Sequence, residues 1–157
     1  MAAVLLVCTA NICRSPMAEA IFRATLGQVF KTIHSAGVHA DPRGAPVDAR
    51  AAAALTRHNY SLDRKWRSRR VDLGTLGQYD LVLAMEAAHV AWLQGKAAPE
   101  LRARIRLLTE FVPELSGQDV PDPYFGPVAG FDAVIAIIER AARRLLADSR
   151  EGRLGLA

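Results

Sequence analysis

Val4-Leu5-Leu6-Val7-Cys8-Thr9-Ala10-Asn11-Ile12-Cys13-Arg14-Ser15-Pro16 joins an unbroken apolar run to a cysteine and an arginine separated by five residues, with a helix start immediately after. Continuous rather than alternating hydrophobicity reads as a strand buried on both faces, the habit of parallel sheets. Cys8 therefore falls at the carboxyl end of a strand. Ser15 followed by Pro16 reads as a helix start, a hydroxyl able to cap free amides and a proline in the first turn. The residues between must turn tightly.

Such a turn points successive backbone N–H groups into one hollow, and the helix N-terminus adds partial positive charge, so the hollow favours a tetrahedral oxyanion. The planar fork of Arg14 can hold two phosphate oxygens at once. The same surroundings favour the thiolate of Cys8, since electropositive sites lower a cysteine pKa from about 8.5 to roughly 3.5 to 7.5. Taken alone, a cysteine at a strand end is a small buried hydrophobe. The Cys-x5-Arg-Ser spacing at a strand-to-helix turn, beside Asn11 and Pro16, points instead to a thiolate that attacks phosphate. The Gly-x4-Gly-Lys-Ser/Thr run of nucleotide-binding loops occurs nowhere.

With Val7-Cys8-Thr9-Ala10-Asn11-Ile12-Cys13-Arg14-Ser15-Pro16-Met17-Ala18-Glu19-Ala20 near the start and Asp122-Pro123-Tyr124 near the end, the chain resembles the low-molecular-weight protein tyrosine phosphatases. Ser35-Ala36-Gly37, Ser68-Arg69-Arg70 and Tyr79 to Met85 extend the likeness over nearly the whole chain. The resemblance implies hydrolysis of phosphotyrosine and small aryl phosphates through a cysteinyl-phosphate intermediate. Cys8 is implied as the nucleophile and Arg14 as the clamp on the phosphoryl oxygens. Ser15 is implied as the hydroxyl that stabilises the thiolate, and Asp122 as the general acid. Thr9, Ala10, Asn11, Ile12 and Cys13 complete the substrate-binding loop. Asn11 suits the strained point of that loop, because asparagine tolerates left-handed backbone and bonds locally.

An acid is also required on chemical grounds, since a phenolate leaves poorly unless its oxygen is protonated as the P–O bond breaks. Asp122 lies in Val120-Pro121-Asp122-Pro123-Tyr124-Phe125-Gly126, where two prolines make a stiff non-helical loop. Alone, that segment is a turn; beside the cysteine motif, it holds a carboxyl over a pocket. Tyr124 and Phe125 read equally as aromatic walls for a phenyl ring or as a lid packed on the body. The turn-rich His39 to Pro46 segment is expected to form the opposite rim.

Two positions depart from the family pattern. Ala10 replaces a frequent glycine, which the turn absorbs if its φ is negative. Trp66 stands where relatives often carry a histidine that braces the loop through Asn11 and the serine matching Ser35. An indole only donates, so the bracing network does not carry over with the resemblance.

At 157 residues, half of them apolar, the chain is expected to fold as one domain spanning 1–157. No apolar stretch nears the roughly 20 residues needed to span a bilayer. The Met1-Ala2-Ala3 start lacks the basic segment of a signal peptide, so a cytoplasmic location is expected, with no membrane partner. Two cysteines and four scattered histidines make no disulfide framework and no metal site, and no cofactor is expected. Cys8 and Cys13 lie at two ends of one loop. Cys13 is either a plain buried residue or, as the resemblance implies, the partner of a reversible redox-regulatory disulfide.

Around the loop, the pattern gives a first helix (Met17, Ala18, Ile21, Phe22, Ala24), strand Thr32–His34, an alanine-rich helix from Val47 to His58 and strand Tyr79–Met85. A helix from Ala87 to Gly95, strand Arg104–Phe111 and a last helix with Phe131, Val134, Ile135, Ile138, Ala141, Ala142 and Leu145 on one stripe follow. The tail from Arg150 to Ala157 is expected to fray. This order implies an α/β fold: a parallel sheet of about four strands, helices on both faces, and the phosphate-binding loop between first strand and first helix at the sheet's carboxyl edge.

Net charge +4 and the run Arg64-Lys65-Trp66-Arg67-Ser68-Arg69-Arg70 raise nucleic-acid binding as a rival from another class. A basic surface equally attracts phosphorylated acidic protein segments, and no specific nucleic-acid partner is expected. Arsenate reductases resemble the loop but need further cysteines downstream, and none follows Cys13. Arginine phosphatases typically carry threonine where this chain has Ile12, so phosphotyrosine is expected over phosphoarginine. The resemblance implies tyrosine-phosphorylated proteins as partners, bacterial autophosphorylating tyrosine kinases among them.

Overall fold

The computed structural model describes residues 2–154. Strand β1 (Ala2–Cys8) runs into helix α1 (Arg14–Leu26), followed by β2 (Phe30–Gly37), α2 (Ala49–Arg57), β3 (Leu81–Ala84), α3 (Ala87–Lys96), β4 (Ile105–Leu107) and α4 (Ala129–Arg150). The four strands form one parallel sheet in the order β2-β1-β3-β4.

β1 is a central strand, which accounts for its unbroken apolar run. Val4, Leu6 and Cys8 face a core shared with α1, α2 and α4, whereas Leu5 and Val7 face a second core with Leu93 of α3. Burying each leucine from both sides contributes roughly 2 kcal/mol. Helices thus cover both faces, and the carboxyl ends of β1 and β3 meet at one edge. No helix among the described residues is long and apolar enough to cross a membrane.

Four local expectations are corrected. The segment 104–111 is strand only over Ile105–Leu107; Leu108–Phe111 tightens into a 3₁₀ turn, with the Glu110 carboxylate accepting from the amide of Leu107. A short apolar run bears either form, and packing against α4 chooses. The first helix begins at Arg14 with Cys13 at its cap, and the Ser15 hydroxyl caps nothing because it is turned toward Cys8 and Asn11. The C-terminal tail does not fray at once. The amide of Arg153 donates to the Asp148 carbonyl at 2.7 Å, and its guanidinium pairs with the Asp148 carboxylate at 2.8 Å. Residues 155–157 lie outside the described range.

Helix α2 is shorter than the 47–58 expected because Asp48 caps it, its carboxylate accepting from the amides of Arg50 (2.8 Å) and Ala51 (3.3 Å).

Candidate active site

The loop from Cys8 to Arg14 is folded against the end of β2. Amides of Val38 and His39 donate to the carbonyls of Cys8 (3.0 Å) and Thr9 (2.8 Å), and the amide of Asp48 donates to Ile12 (2.9 Å). Gly37 permits this approach. A Cβ there would lie 2.6 Å from the Thr9 carbonyl oxygen and 2.9 Å from the Asn11 nitrogen, inside any tolerable contact. With the carbonyls tied outward, no amide from Thr9 to Cys13 donates a hydrogen bond among the described residues. Five N–H groups in a row beside a helix N-terminus make an anion cradle.

Asn11 takes the left-handed conformation, φ 58°, and Ala10 does not, so replacing a glycine at position 10 costs no backbone strain. The Asn11 side chain then fixes the loop from inside. Its Oδ1 accepts from the Arg69 amide at 2.9 Å, which settles the orientation of the side-chain amide, because a backbone N–H can only donate. Its Nδ2 donates to Ser15 Oγ (2.7 Å) and Ser35 Oγ (3.0 Å). Ser35 in turn donates to Glu19 Oε1 at 2.7 Å, and the Trp66 indole donates to the same oxygen at 3.2 Å. The bracing network therefore survives Trp66, with the buried Glu19 as acceptor. The order of donors has a consequence for Cys8. With its oxygen accepting from Asn11, Ser15 is free to direct its own proton at Cys8 Sγ, 2.9 Å away.

Arg14 is almost wholly buried and held from two sides. Its Nη2 lies 2.6 Å from Glu86 Oε2, and its Nη1 donates to the Val120 carbonyl at 2.7 Å. Asp122 Oδ2 lies 3.7 Å from the same Nη2. Thr9 is held by His89, whose Nε2 is 2.9 Å from Thr9 Oγ1 and whose buried Nδ1 has no partner. Placing the proton on Nε2 leaves a lone pair, rather than an orphaned N–H, at Nδ1. Burial pushes the His89 pKa down; the Glu86 carboxylate opposes that shift and Arg14 reinforces it. Burial and the unpartnered Nδ1 both favour the neutral imidazole, which pairs with Glu86, 4.0 Å away, only when protonated. Burial, with Asp48, Cys8 and Asp122 nearby, pushes the Cys13 thiol up to about 12.

Cys8, Thr9, Ala10, Ile12, Cys13, Arg14, Asp122, Tyr124 and Phe125 line one cavity of about 300 Å³. Its size fits a phenyl phosphate group. Cys8 is buried at its depth, while the Asp122 side chain is 48 % exposed at its mouth. Tyr124 and Phe125, edge to face at 4.8 Å, form a wall, with Phe125 almost fully exposed. Asn11 and Ser15 do not line the cavity and act from behind it. Sequence reasoning missed Glu19, Asp48, Arg50, Glu86 and His89. One of these carried a signal: Glu19 is a charge set between alanines on an otherwise apolar helix face, whereas the approach of Glu86 to Arg14 depends on β3 lying beside β1.

An anion cradle around a buried thiol, at the carboxyl edge of a parallel sheet, is the arrangement of a cysteine-dependent phosphatase. The model of the low molecular weight phosphotyrosine protein phosphatases matches residues 3–153. The low molecular weight protein-tyrosine-phosphatase of Streptomyces coelicolor is 41 % identical over 154 residues, covering 92 % of each chain. Among solved structures, Wzb of Vibrio vulnificus, in complex with benzylphosphonate, superposes with a TM-score of 0.82 at 30 % identity, covering 94 % of this chain and 98 % of its own. A structure of the YwlE arginine phosphatase, a mutant with a phosphorylated active-site serine, superposes with a TM-score of 0.83 at 28 % identity, covering 96 % and 97 %. The chain belongs to the low molecular weight phosphotyrosine protein phosphatase family, and its activity is that of a protein-tyrosine phosphatase, a phosphoric monoester hydrolase.

Proposed function

We propose that the chain, acting as one domain over residues 1–157, hydrolyses phosphotyrosine in proteins through a phosphoryl group carried on Cys8. The observation that carries this is that Cys8, Arg14 and Asp122 line one cavity together with Thr9, Ala10, Ile12 and Cys13, whose amides donate no hydrogen bond among the described residues. Cys8 Sγ attacks phosphorus, and the S–P bond forms as the P–O bond to the phenol breaks. The amides of the loop and the Arg14 guanidinium take up the charge on the phosphoryl oxygens. Asp122 gives its proton to the departing phenolic oxygen. The same carboxylate then takes a proton from water, which attacks phosphorus and releases phosphate and the Cys8 thiolate. The Ser15 hydroxyl stabilises that thiolate at 2.9 Å. Tyr124 and Phe125 wall the aryl ring.

Substrates of this kind are tyrosine-phosphorylated proteins, and bacterial autophosphorylating tyrosine kinases are the class of partner the family resemblance supports. A catalytic thiol suits the reducing cytoplasm. The similarity to an arginine phosphatase favours phosphoarginine as the second reading. Ile12 in the cavity wall argues against it, because an apolar side chain suits a phenyl ring better than a guanidinium.

Phosphate release from para-nitrophenyl phosphate without added metal, by wild type and Cys8→Ser, tests the chemistry. Activity abolished in the variant is expected, and an equally active variant overturns the assignment of Cys8. Phosphotyrosyl and phosphoarginyl peptides compared on the same protein test the substrate. Preferential cleavage of phosphoarginine overturns the phosphotyrosine reading.

A further inference from the structure

The segment 121–126, which carries Asp122, Tyr124 and Phe125, is exposed except at Pro123. Two of its residues are prolines with no N–H, and its remaining backbone bonds are internal: the amide of Tyr124 to Asp122 Oδ1 (3.1 Å) and the amide of Gly126 to the Pro123 carbonyl (3.1 Å). Among the described residues, one hydrogen bond ties this segment to the rest of the chain. Arg50 Nη1 donates to the Tyr124 carbonyl at 2.9 Å.

Everything around Arg50 fixes that donor. Its guanidinium lies 5.1 Å from the Tyr124 ring centroid and 4.9 Å from that of Phe131 in the first turn of α4, and so contacts both rings. Its remaining edge is held by Asp48, with Nε to Oδ1 at 3.2 Å and Nη2 to Oδ2 at 3.0 Å. Asp48 in turn donates its amide to the Ile12 carbonyl at 2.9 Å. Burial pushes the Asp48 carboxyl up, but the hydrogen bonds from the Arg50 side chain and from the amides of Arg50 and Ala51 outweigh it and keep the group below its ordinary value. Direct bonds therefore run without a break from the phosphate loop through Asp48 and Arg50 to Tyr124, two residues from Asp122.

We propose that Arg50, locked by Asp48, is the positioning residue of the general-acid step: it sets the distance between the Asp122 carboxyl and the oxygen that leaves from phosphorus. This rests on the reading of Asp122 as the acid. Arg50 touches neither thiol nor phosphoryl group. Its effect falls on the proton that passes from Asp122 to the phenolic oxygen as the P–O bond breaks and the S–P bond forms. Misplacing a catalytic group by about 1 Å costs on the order of a hundredfold in rate. Lysine cannot stand in fully, since an ammonium lacks the planar fork that meets Asp48 and Tyr124 together while lying against two rings.

The test is the dependence of kcat/KM on the leaving group, which a general loss of folding does not tilt. With 2,4-dinitrophenyl phosphate, whose phenolate needs no proton, Arg50→Met is expected to stay within about threefold of wild type; with phenyl phosphate it is expected to fall by at least about tenfold. Arg50→Lys is expected to fall between. A uniform drop across the series, or none, overturns the proposal. Asp122→Asn, measured alongside, separates the two readings. A steep series for Asp122→Asn with a flat one for Arg50→Met overturns the role of Arg50 alone; a flat series for Asp122→Asn overturns the acid assignment with it. Should Arg50→Met fail to fold, Asp48→Asn, which loosens the fork but keeps the helix cap, is expected to show the same tilt more weakly. A flat series there overturns the proposal.

Discussion

The indole Nε1 of Trp66 donates to Oε1 of Glu19 across 3.2 Å, and Ser35 donates to the same oxygen at 2.7 Å. A residue that only donates thus meets a buried group that only accepts. Trp66→Phe removes one donor from a carboxylate that keeps Ser35 and also Arg23, whose Nε donates to Glu19 Oε2 at 3.1 Å, so the expected loss is about 1–2 kcal/mol of stability with little change in kcat. Glu19→Gln is the sharper change, because it takes away the charge on which Ser35, Trp66 and Arg23 converge. Asn11, oriented by the Arg69 amide, still donates to Ser15, so a larger loss of stability than in Trp66→Phe is expected with kcat kept within about threefold, read by thermal unfolding and initial rates. A kcat lowered by about tenfold with the fold retained overturns the fixed donor order of Asn11.

Gly37→Ala forces a methyl group to within 2.6 Å of the Thr9 carbonyl oxygen, against backbone that cannot yield cheaply. The cost is about 1–3 kcal/mol, and the loop must shift to relieve it. Weaker competitive inhibition by inorganic phosphate is the expected readout, with the melting temperature lowered as well.

Glu86 compensates the buried charge of Arg14. Glu86→Ala leaves that guanidinium with the Val120 carbonyl and a 3.7 Å approach to Asp122, a loss on the order of 3 kcal/mol when a buried pair is broken. Glu86→Asp shortens the arm and is expected to recover part of it. Calorimetric unfolding at neutral pH checks both.

His89 gives the fold a pH dependence of known sign. Its folded pKa lies below the ordinary 6.5, through burial first and Arg14 besides, with Glu86, Asp119 and His39 also facing it. The unfolded chain therefore binds the proton more readily. The contribution of His89 to stability is complete above about pH 6.5 and is lost as pH falls through its folded pKa. His34, lowered chiefly by burial and by Arg69, adds in the same sense. Asp41, Asp132 and Asp148, all held below their ordinary 3.8, contribute losses only in more acid solution. The melting temperature is expected to fall between pH 7 and pH 5, and less so in His89→Gln. An equal fall in both proteins removes His89 as a cause.

Cys13, pushed up to about 12, stays a thiol, so peroxide is expected to strike Cys8 first. The Cys8 sulfenic acid can then condense with the Cys13 thiol, releasing water and forming a disulfide. Activity lost to peroxide is expected to return with dithiothreitol in wild type and not in Cys13→Ala. Thiol titration showing Cys8 consumed and Cys13 intact overturns the redox reading.

The stretch from Val4 to Pro16 determined much by itself. A central parallel strand must be apolar on both faces, and a tight turn into a helix must expose amides, so strand, loop and anion site follow from short-range physics. The Pro-Asp-Pro segment likewise announces a stiff loop. What the sequence left open were contacts between residues far apart in the chain. Glu86 and His89 reach Arg14 and Thr9 only because β3 is placed beside β1. Trp66, whose part in the brace the sequence left open, works because Glu19 is buried within its reach. Strand β4 ended at Leu107 because packing against α4, not local propensity, decided the next turn. The chain encodes local geometry in neighbouring residues, but the partners of buried charges are chosen by the fold, since a buried charge takes whichever opposite group the packing brings near.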